Sequence, residues 1–436
     1  MSDRRVSERR ALGFWPALAL VVGNMIGSGI YLLPATLAPL GANALIGWGV
    51  TILGAMALAF VFARLAAVIP CAGGPYAFAD RAFGPVVGFA VAWSYWILVW
   101  AGNGAVAIAV VSALSVPFPA LAGGTPAMLT ALALIWGLVA VNIRGVALAG
   151  RIQLVTAVIK LAPLIAVVLL VVWLVLQRGG AAIVDNPPVP IGAGAVAGAV
   201  ALTFWGFLGV ESATVPADKV RDAARIVPLV TLLGTAVTGA VYVLVAGGIT
   251  LMMPADQVAA SHSPLAAFLG GWWGSGAAQI VAVFAAISAL GTLNGFVLLQ
   301  GEMPWAMARG GVFPAWFGKE SRHGTPARAH LVSGVLVTIV MALNYTGSTG
   351  ALFADIATIS LAAGMLAYFV SALAALKLLG RDVAVPFAAT VAAGFVLWMI
   401  YGLGLRANLW GLGLLALGLP VFLWVRRTRL RSAATA

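Results

Sequence analysis

The sequence predicts an all-α membrane protein of about twelve transmembrane helices, and three observations predict it. Hydrophobic residues fill 63% of the 436 positions, charged residues only 8%, and the mean hydropathy is +1.08. A soluble domain carries roughly a quarter charged residues, because its surface must face water; this chain must instead be solvated by lipid. The apolar runs are continuous, without the alternation of a spanning strand. Finally, the basic residues sit in short clusters between those runs, which is how membrane topology is written.

Crossing the hydrocarbon layer takes about 20 apolar residues in a helix. Such segments start near residues 13, 44, 84, 126, 152, 195, 226, 274, 330, 351, 384 and 408. Counting loops alternately, 21 of the 24 Lys and Arg residues fall on one side; Arg178 and Arg406 fall on the other, and Lys160 lies within a span. Positive charge is retained in the cytoplasm, so both termini are expected inside. A missed helix would scramble a split this lopsided. The basic start MSDRRVSERR lacks a small-residue cleavage site and reads as a cytoplasmic tail, not a removed signal peptide.

The net charge of +12 therefore describes topology, and no nucleic-acid partner is expected. The single cysteine, Cys71, excludes an internal disulfide and a thiolate cluster. His262, His323 and His330 all fall in predicted loops, so no metal site is expected, and no phosphate-binding glycine loop occurs. No cofactor is implied.

Two spans carry candidate interruptions. The first runs Gly23-Asn24-Met25-Ile26-Gly27-Ser28-Gly29-Ile30-Tyr31-Leu32-Leu33-Pro34, the second Trp205-Gly206-Phe207-Leu208-Gly209-Val210-Glu211-Ser212-Ala213-Thr214-Val215-Pro216. In each a glycine, Gly27 or Gly209, precedes a proline by seven residues. One glycine motif alone would serve close helix packing. Unpaired backbone groups in hydrocarbon cost several kcal/mol each, so real breaks survive only where they line a cavity. Matched breaks in the first and sixth helices, which cross in opposite directions, point to a transporter site near mid-membrane. Freed N–H groups with the positive end of a half-helix dipole suit a carboxylate, and freed carbonyls suit an ammonium. An amino acid headgroup offers both.

Glu211 is an acid at mid-membrane beside a break, suited to proton-linked gating or to neutralising a cation; the competing reading is a structural hydrogen bond to a neighbouring helix. Glu302 and Asp355 read as ordinary charges near span ends. The segments 218–222 and 319–328 read as solvated cytoplasmic loops.

GNMIGSGIYLLPA, PCAGGPYAFADRAFG, SYWILVWAGN, TFWGFLGVESATV and GGVFP occur in the order seen in the amino acid–polyamine–organocation superfamily. The chain resembles that superfamily over nearly its whole length, most nearly the bacterial arginine/agmatine and lysine/cadaverine antiporters. The resemblance implies a LeuT-type five-plus-five inverted repeat with two additional C-terminal helices. The expected organisation is a tail over 1–12, one polytopic domain over 13–425, and a tail over 426–436. Within that domain the repeats span about 13–176 and 195–378, with the extra helices over 384–425. By the same resemblance Ser28 and Gly29 hold the substrate carboxylate, while Ile26 and the carbonyls around Trp205 receive its amino group. Asn103 matches the asparagine at the distal cation, Ser360 a serine near that end, and Trp205 the aromatic gate. Tyr95 and Tyr368 match gate tyrosines, with Glu211 the acid just beyond.

Two positions depart from those antiporters. Phe296 stands where the arginine antiporter has tryptophan, and phenylalanine binds a cation less well. Lys160 lies nine residues past Arg151, about 13 Å into the membrane. It resembles the lysine that replaces a sodium ion in some amino acid carriers of the superfamily, as a fixed charge or a proton carrier. The competing reading is a lysine snorkelling to the cytoplasmic surface.

The expected activity is secondary transport of an amino acid or related amine, by antiport or proton coupling. Asn103, Trp205 and Glu211 favour cationic substrates; Lys160 and Phe296 favour neutral ones, and both versions stay open. An intramembrane enzyme would need paired carboxylates, a metal set or an activated nucleophile in the membrane, and no such set is visible. A channel would favour rings of like residues from identical subunits. The expected partners are a small substrate, the lipid of a bacterial inner membrane and, as an option, a second copy in a homodimer.

Overall fold

The computed structural model describes residues 12–261, 263–344 and 349–434. The described residues form helices α1 (Phe14–Met25), α2 (Ser28–Leu37), α3 (Ala42–Val68), α4 (Pro75–Phe83), α5 (Pro85–Leu114), α6 (Gly124–Arg144), α7 (Val146–Ile159), α8 (Leu161–Arg178) and α9 (Ala193–Phe204). They continue with α10 (Ala223–Met252), α11 (Ala255–Ala260), α12 (Pro264–Trp273), α13 (Ser275–Arg309), α14 (Ala327–Asn344), α15 (Thr349–Leu379), α16 (Ala384–Ala416) and α17 (Gly418–Ala434). No strand occurs among them.

Nine helical stretches among the described residues are long and apolar enough to cross a membrane; Ala193–Phe207 and Ala327–Ala342 are shorter apolar helices. The last long stretch, Ala384–Thr428, is interrupted at Gly404, whose φ of 80° no ordinary helix residue adopts. Residues 1–11 and 435–436 of the expected tails lie outside the described residues, as does His262.

α1 is wedged between α7, α10 and α13, while α5 packs along α13 and α15. This arrangement buries the polar residues of α1, α5 and α13 together, and leaves Leu176, Leu405 and Phe387 on outward faces for lipid. Leu12 donates its N–H to the Lys219 carbonyl and accepts from the Arg221 N–H, at 3.0 and 2.9 Å, so the start of the first span is tied to the chain beyond the second break.

Four loop or surface expectations are corrected here. His330 lies inside α14 and is fully buried against Gly301 of α13, so the statement that all histidines sit in loops fails for it. Glu302 is 1% exposed within α13 and forms an ion pair with Lys219, which is 8% exposed. The segment 218–222 is thus not uniformly solvated; Lys219 turns inward because an unpaired Glu302 would be costly to bury. Arg151, read as a loop residue, lies inside α7, which begins at Val146.

Candidate functional site

The first interruption is two residues long. α1 ends at Met25; Ile26, with ψ of 89°, and Gly27 leave the helical region, and α2 begins at Ser28. The carbonyls this frees are taken by side chains from three other helices. Lys160 Nζ donates to Gly23 O at 2.8 Å and Ile26 O at 2.5 Å. Thr292 Oγ1 donates to Gly23 O at 2.7 Å, and the Tyr242 hydroxyl to Met25 O at 2.6 Å. Lys160 is fully buried, which removes the snorkelling reading. It sits where α7 gives way to α8, because Pro163 lacks the N–H that would bond Ile159. The Ile26 carbonyl, expected to meet a substrate amino group, already accepts a protein ammonium.

The second interruption is longer. α9 ends at Phe204, a tight turn covers Trp205–Phe207, and Gly209 takes a φ of 110° that favours glycine. From there the chain proceeds in short turns, with Ser212 N–H bonded to Gly209 O at 2.9 Å and Thr214 N–H to Glu211 O at 2.8 Å. No α-helix resumes before Ala223. The Thr214 hydroxyl also donates to the Glu211 carbonyl at 2.6 Å, keeping it from the helical ladder.

The two interruptions touch. A methyl group on Gly29 would come within 3.1 Å of the Gly206 Cα, closer than most side chains pack, so the glycine lets the two segments approach. The Tyr242 hydroxyl bridges them, reaching Gly206 O at 2.9 Å as well as Met25 O.

Glu211 is fully buried and held by both oxygens: Tyr95 donates to Oε1 and Tyr368 to Oε2, each at 2.8 Å. Phe62 and Phe204 pack edge-on against the Tyr368 ring. The three residues that the resemblance grouped as gate elements therefore meet, from α5, the second break and α15. The structural hydrogen bonds that competed with a gating role are also present, so geometry alone serves both readings.

Trp205 and Ser360 converge on α5. A methyl group on Gly102 would lie 3.6 Å from the Trp205 ring edge and 3.7 Å from Ser360 Oγ. The next residue, Asn103, donates from Nδ2 to Gln300 Oε1 at 2.7 Å. Phe296 is buried one turn before Gln300 on α13. Of Ser28 only the backbone is described.

Behind the first break runs a chain of buried amides. Asn24 donates to Ser212 Oγ at 2.8 Å, Gln153 to Asn24 Oδ1 at 3.2 Å, Asn294 to Gln153 Oε1 at 3.2 Å and Asn142 to Asn294 Oδ1 at 3.2 Å. It links the second break to α1, α7, α13 and α6, so displacement of one element is felt by the others.

A cleft of about 1130 Å³ opens on the arginine-rich side, lined by Cys71, Asp80, Arg144, Lys219, Trp305 and Arg309 among others. Burial pushes the Asp80 carboxyl above its ordinary range. Burial also raises Asp218 on the same wall, although the Lys219 charge opposes it. Trp305 lies between two cations, with Lys219 Nζ and the Arg309 guanidinium each 5.1 Å from its ring centre.

Thr292, Tyr242, Gln300 and the amide chain went unread in the sequence. A signal existed for two of them: Thr292, Phe296 and Gln300 recur every four residues and so share a helix face. Tyr242 offered none, since its partners are backbone carbonyls.

The chain is similar to known transport proteins. It is 34% identical over 383 residues to the cadaverine/lysine antiporter of Escherichia coli strain K12, covering 87% of this chain and 86% of that protein. It is 34% identical over 337 residues to the arginine/ornithine antiporter of Pseudomonas aeruginosa, covering 74% of this chain and 69% of that protein. The family model for amino acid permeases matches residues 12–421, continuous through both interruptions and every residue around them, and the chain belongs to that family.

Proposed function

We propose that this protein exchanges amino acids, or their amine products, across the membrane by alternating access around the meeting point of its two interrupted segments. The observation that carries this is Tyr242, whose single hydroxyl joins the carbonyls of Met25 and Gly206 across both breaks. A passive bundle has no use for unwound backbone at that depth. The N–H groups of Ser28 and Gly29, at the start of α2, receive the substrate carboxylate in this reading. Trp205 closes over it, and Glu211 with Tyr95 and Tyr368 forms the layer beneath. Phe296 and Ser360 flank the side chain, with Asn103 beyond.

Counting the two short apolar helices as spans, and dividing the last stretch at Gly404, accords with twelve crossings. The two breaks then open the two halves of an inverted repeat, over about 13–176 and 195–378, within the single domain 13–425. The basic clusters favour cytoplasmic termini in a bacterial inner membrane.

The relatives' names favour antiport of basic amino acids and their amines. Lys160 favours a second reading, exchange or proton-coupled uptake of neutral amino acids. Its ammonium already occupies carbonyls of the first break, and a substrate with an extra positive charge would add to it.

Counterflow in proteoliposomes tests the proposal. Labelled lysine or leucine should enter against internal unlabelled substrate, saturably, and flux that never saturates would sink the carrier reading. Repeating the assay at two pH values on Lys160→Ala decides its role: unchanged pH dependence removes Lys160 as the coupling residue.

A further inference from the structure

We propose that Gln300, paired with Asn103, selects at the distal end of the site for a neutral side chain carrying both a hydrogen-bond donor and an acceptor, a carboxamide or hydroxyl, over one ending in an ammonium. The inference rests on the site reading above and deepens it.

Both side chains are fully buried, on facing helices α5 and α13. They share one hydrogen bond, Asn103 Nδ2 to Gln300 Oε1 at 2.7 Å. Asn103 Oδ1 and Gln300 Nε2 meet no partner among the described residues. A buried polar atom left without a partner is costly, so two on neighbouring side chains favour an occupant that completes them. Position identifies where that occupant comes from. Asn103 follows Gly102, the surface on which Trp205 and Ser360 converge. Gln300 lies one helical turn beyond Phe296, on the same face.

The chemistry of the pair is independent of which way each amide points. If both turn over, Gln300 donates to Asn103, and one acceptor and one donor again remain. A lone asparagine can turn its oxygen toward a cation. An asparagine locked to a glutamine presents a donor beside every acceptor. An ammonium, which only donates, satisfies the oxygen and leaves the N–H pointing at a positive charge. A carboxamide or hydroxyl completes both.

Calorimetric binding of L-glutamine, L-lysine and L-norleucine to the purified full-length protein tests this. Wild type should bind glutamine at least about tenfold more tightly than lysine. Gln300→Leu should weaken glutamine by about tenfold while norleucine binding persists, which also certifies the fold. Gln300→Glu leaves acceptors only and should reverse the order in favour of lysine. Lysine binding to wild type as tightly as glutamine would overturn the inference, as would Gln300→Leu weakening all three ligands equally. Trp205→Ala separates the two levels: it should weaken all three. If it leaves glutamine binding intact, the central-site reading fails and this one with it.

Discussion

The Lys160 ammonium donates to the backbone carbonyls of Gly23 and Ile26, so a side chain from a neighbouring helix completes the hydrogen bonding that the first break leaves open. Removing it isolates Ile26 O on its longer bond from Thr292 Oγ1, at 3.3 Å. Lys160→Met keeps the volume and loses those bonds. Its unfolding free energy should fall by about 1–3 kcal/mol. Thermal unfolding in detergent checks the stability, and counterflow should fall at least tenfold by about the same energetic scale. A variant with wild-type unfolding and exchange would contradict this role.

Tyr95 and Tyr368 grip opposite oxygens of one carboxyl group. Each Tyr→Phe change should cost about 0.5–1.5 kcal/mol of stability, and Glu211→Ala should strand both hydroxyls and cost more than either. Because the three groups form one network, the Tyr95→Phe/Tyr368→Phe double variant should depart from additivity by about 0.5 kcal/mol or more. Additive losses would show that the hydroxyls act independently.

The buried pair Lys219–Glu302 behaves differently from a surface ion pair. Glu302→Gln leaves an ammonium buried without its partner, and the expected loss is about 3–5 kcal/mol. The double variant Lys219→Met/Glu302→Met should recover most of that stability, because two apolar side chains fill the same space. Thermal unfolding of the three proteins reads this directly. A double variant no more stable than Glu302→Gln would argue that the pair itself is needed.

Cys71 offers a probe of orientation and of the cleft. It is exposed, lines the cleft and is the single cysteine of the chain. Partial desolvation against the cleft wall pushes its thiol up, and the charges of Asp218 and Asp80 push the same way. The thiolate is the reactive form, so maleimide labelling should be slow at neutral pH and still rising above the ordinary thiol value of about 8.5. Asp218→Asn removes a nearby negative charge and should speed it. A membrane-impermeant maleimide should label inside-out but not right-side-out vesicles; the opposite pattern would invert the topology.

Much of this was legible in the linear chain because lipid imposes a simple demand. A span must be long and apolar, and its backbone must be satisfied locally, so length, hydropathy and glycine-proline punctuation reveal helices and their exceptions. That is why both interruptions could be read at Gly27 and Gly209. The resemblance, in turn, grouped Tyr95, Glu211 and Tyr368, which the structure brings within hydrogen-bond distance.

What the chain could not reveal is which buried polar groups find one another. Local pattern makes Lys160 either a snorkelling or a buried residue, and makes Glu302 and Lys219 two ordinary charges 83 positions apart. It places His330 in a loop. Only packing decides these, because the cost of burying a charge or an amide depends on the partner that arrives from another helix. The sequence alone determined a lipid-solvated helical protein with two matched interruptions. Tertiary structure decided that Lys160 fills the first, that Tyr242 joins it to the second, and that Asn103 faces Gln300. Each of these is a contact across helices, where hydrogen-bond satisfaction is settled by geometry that no single segment contains.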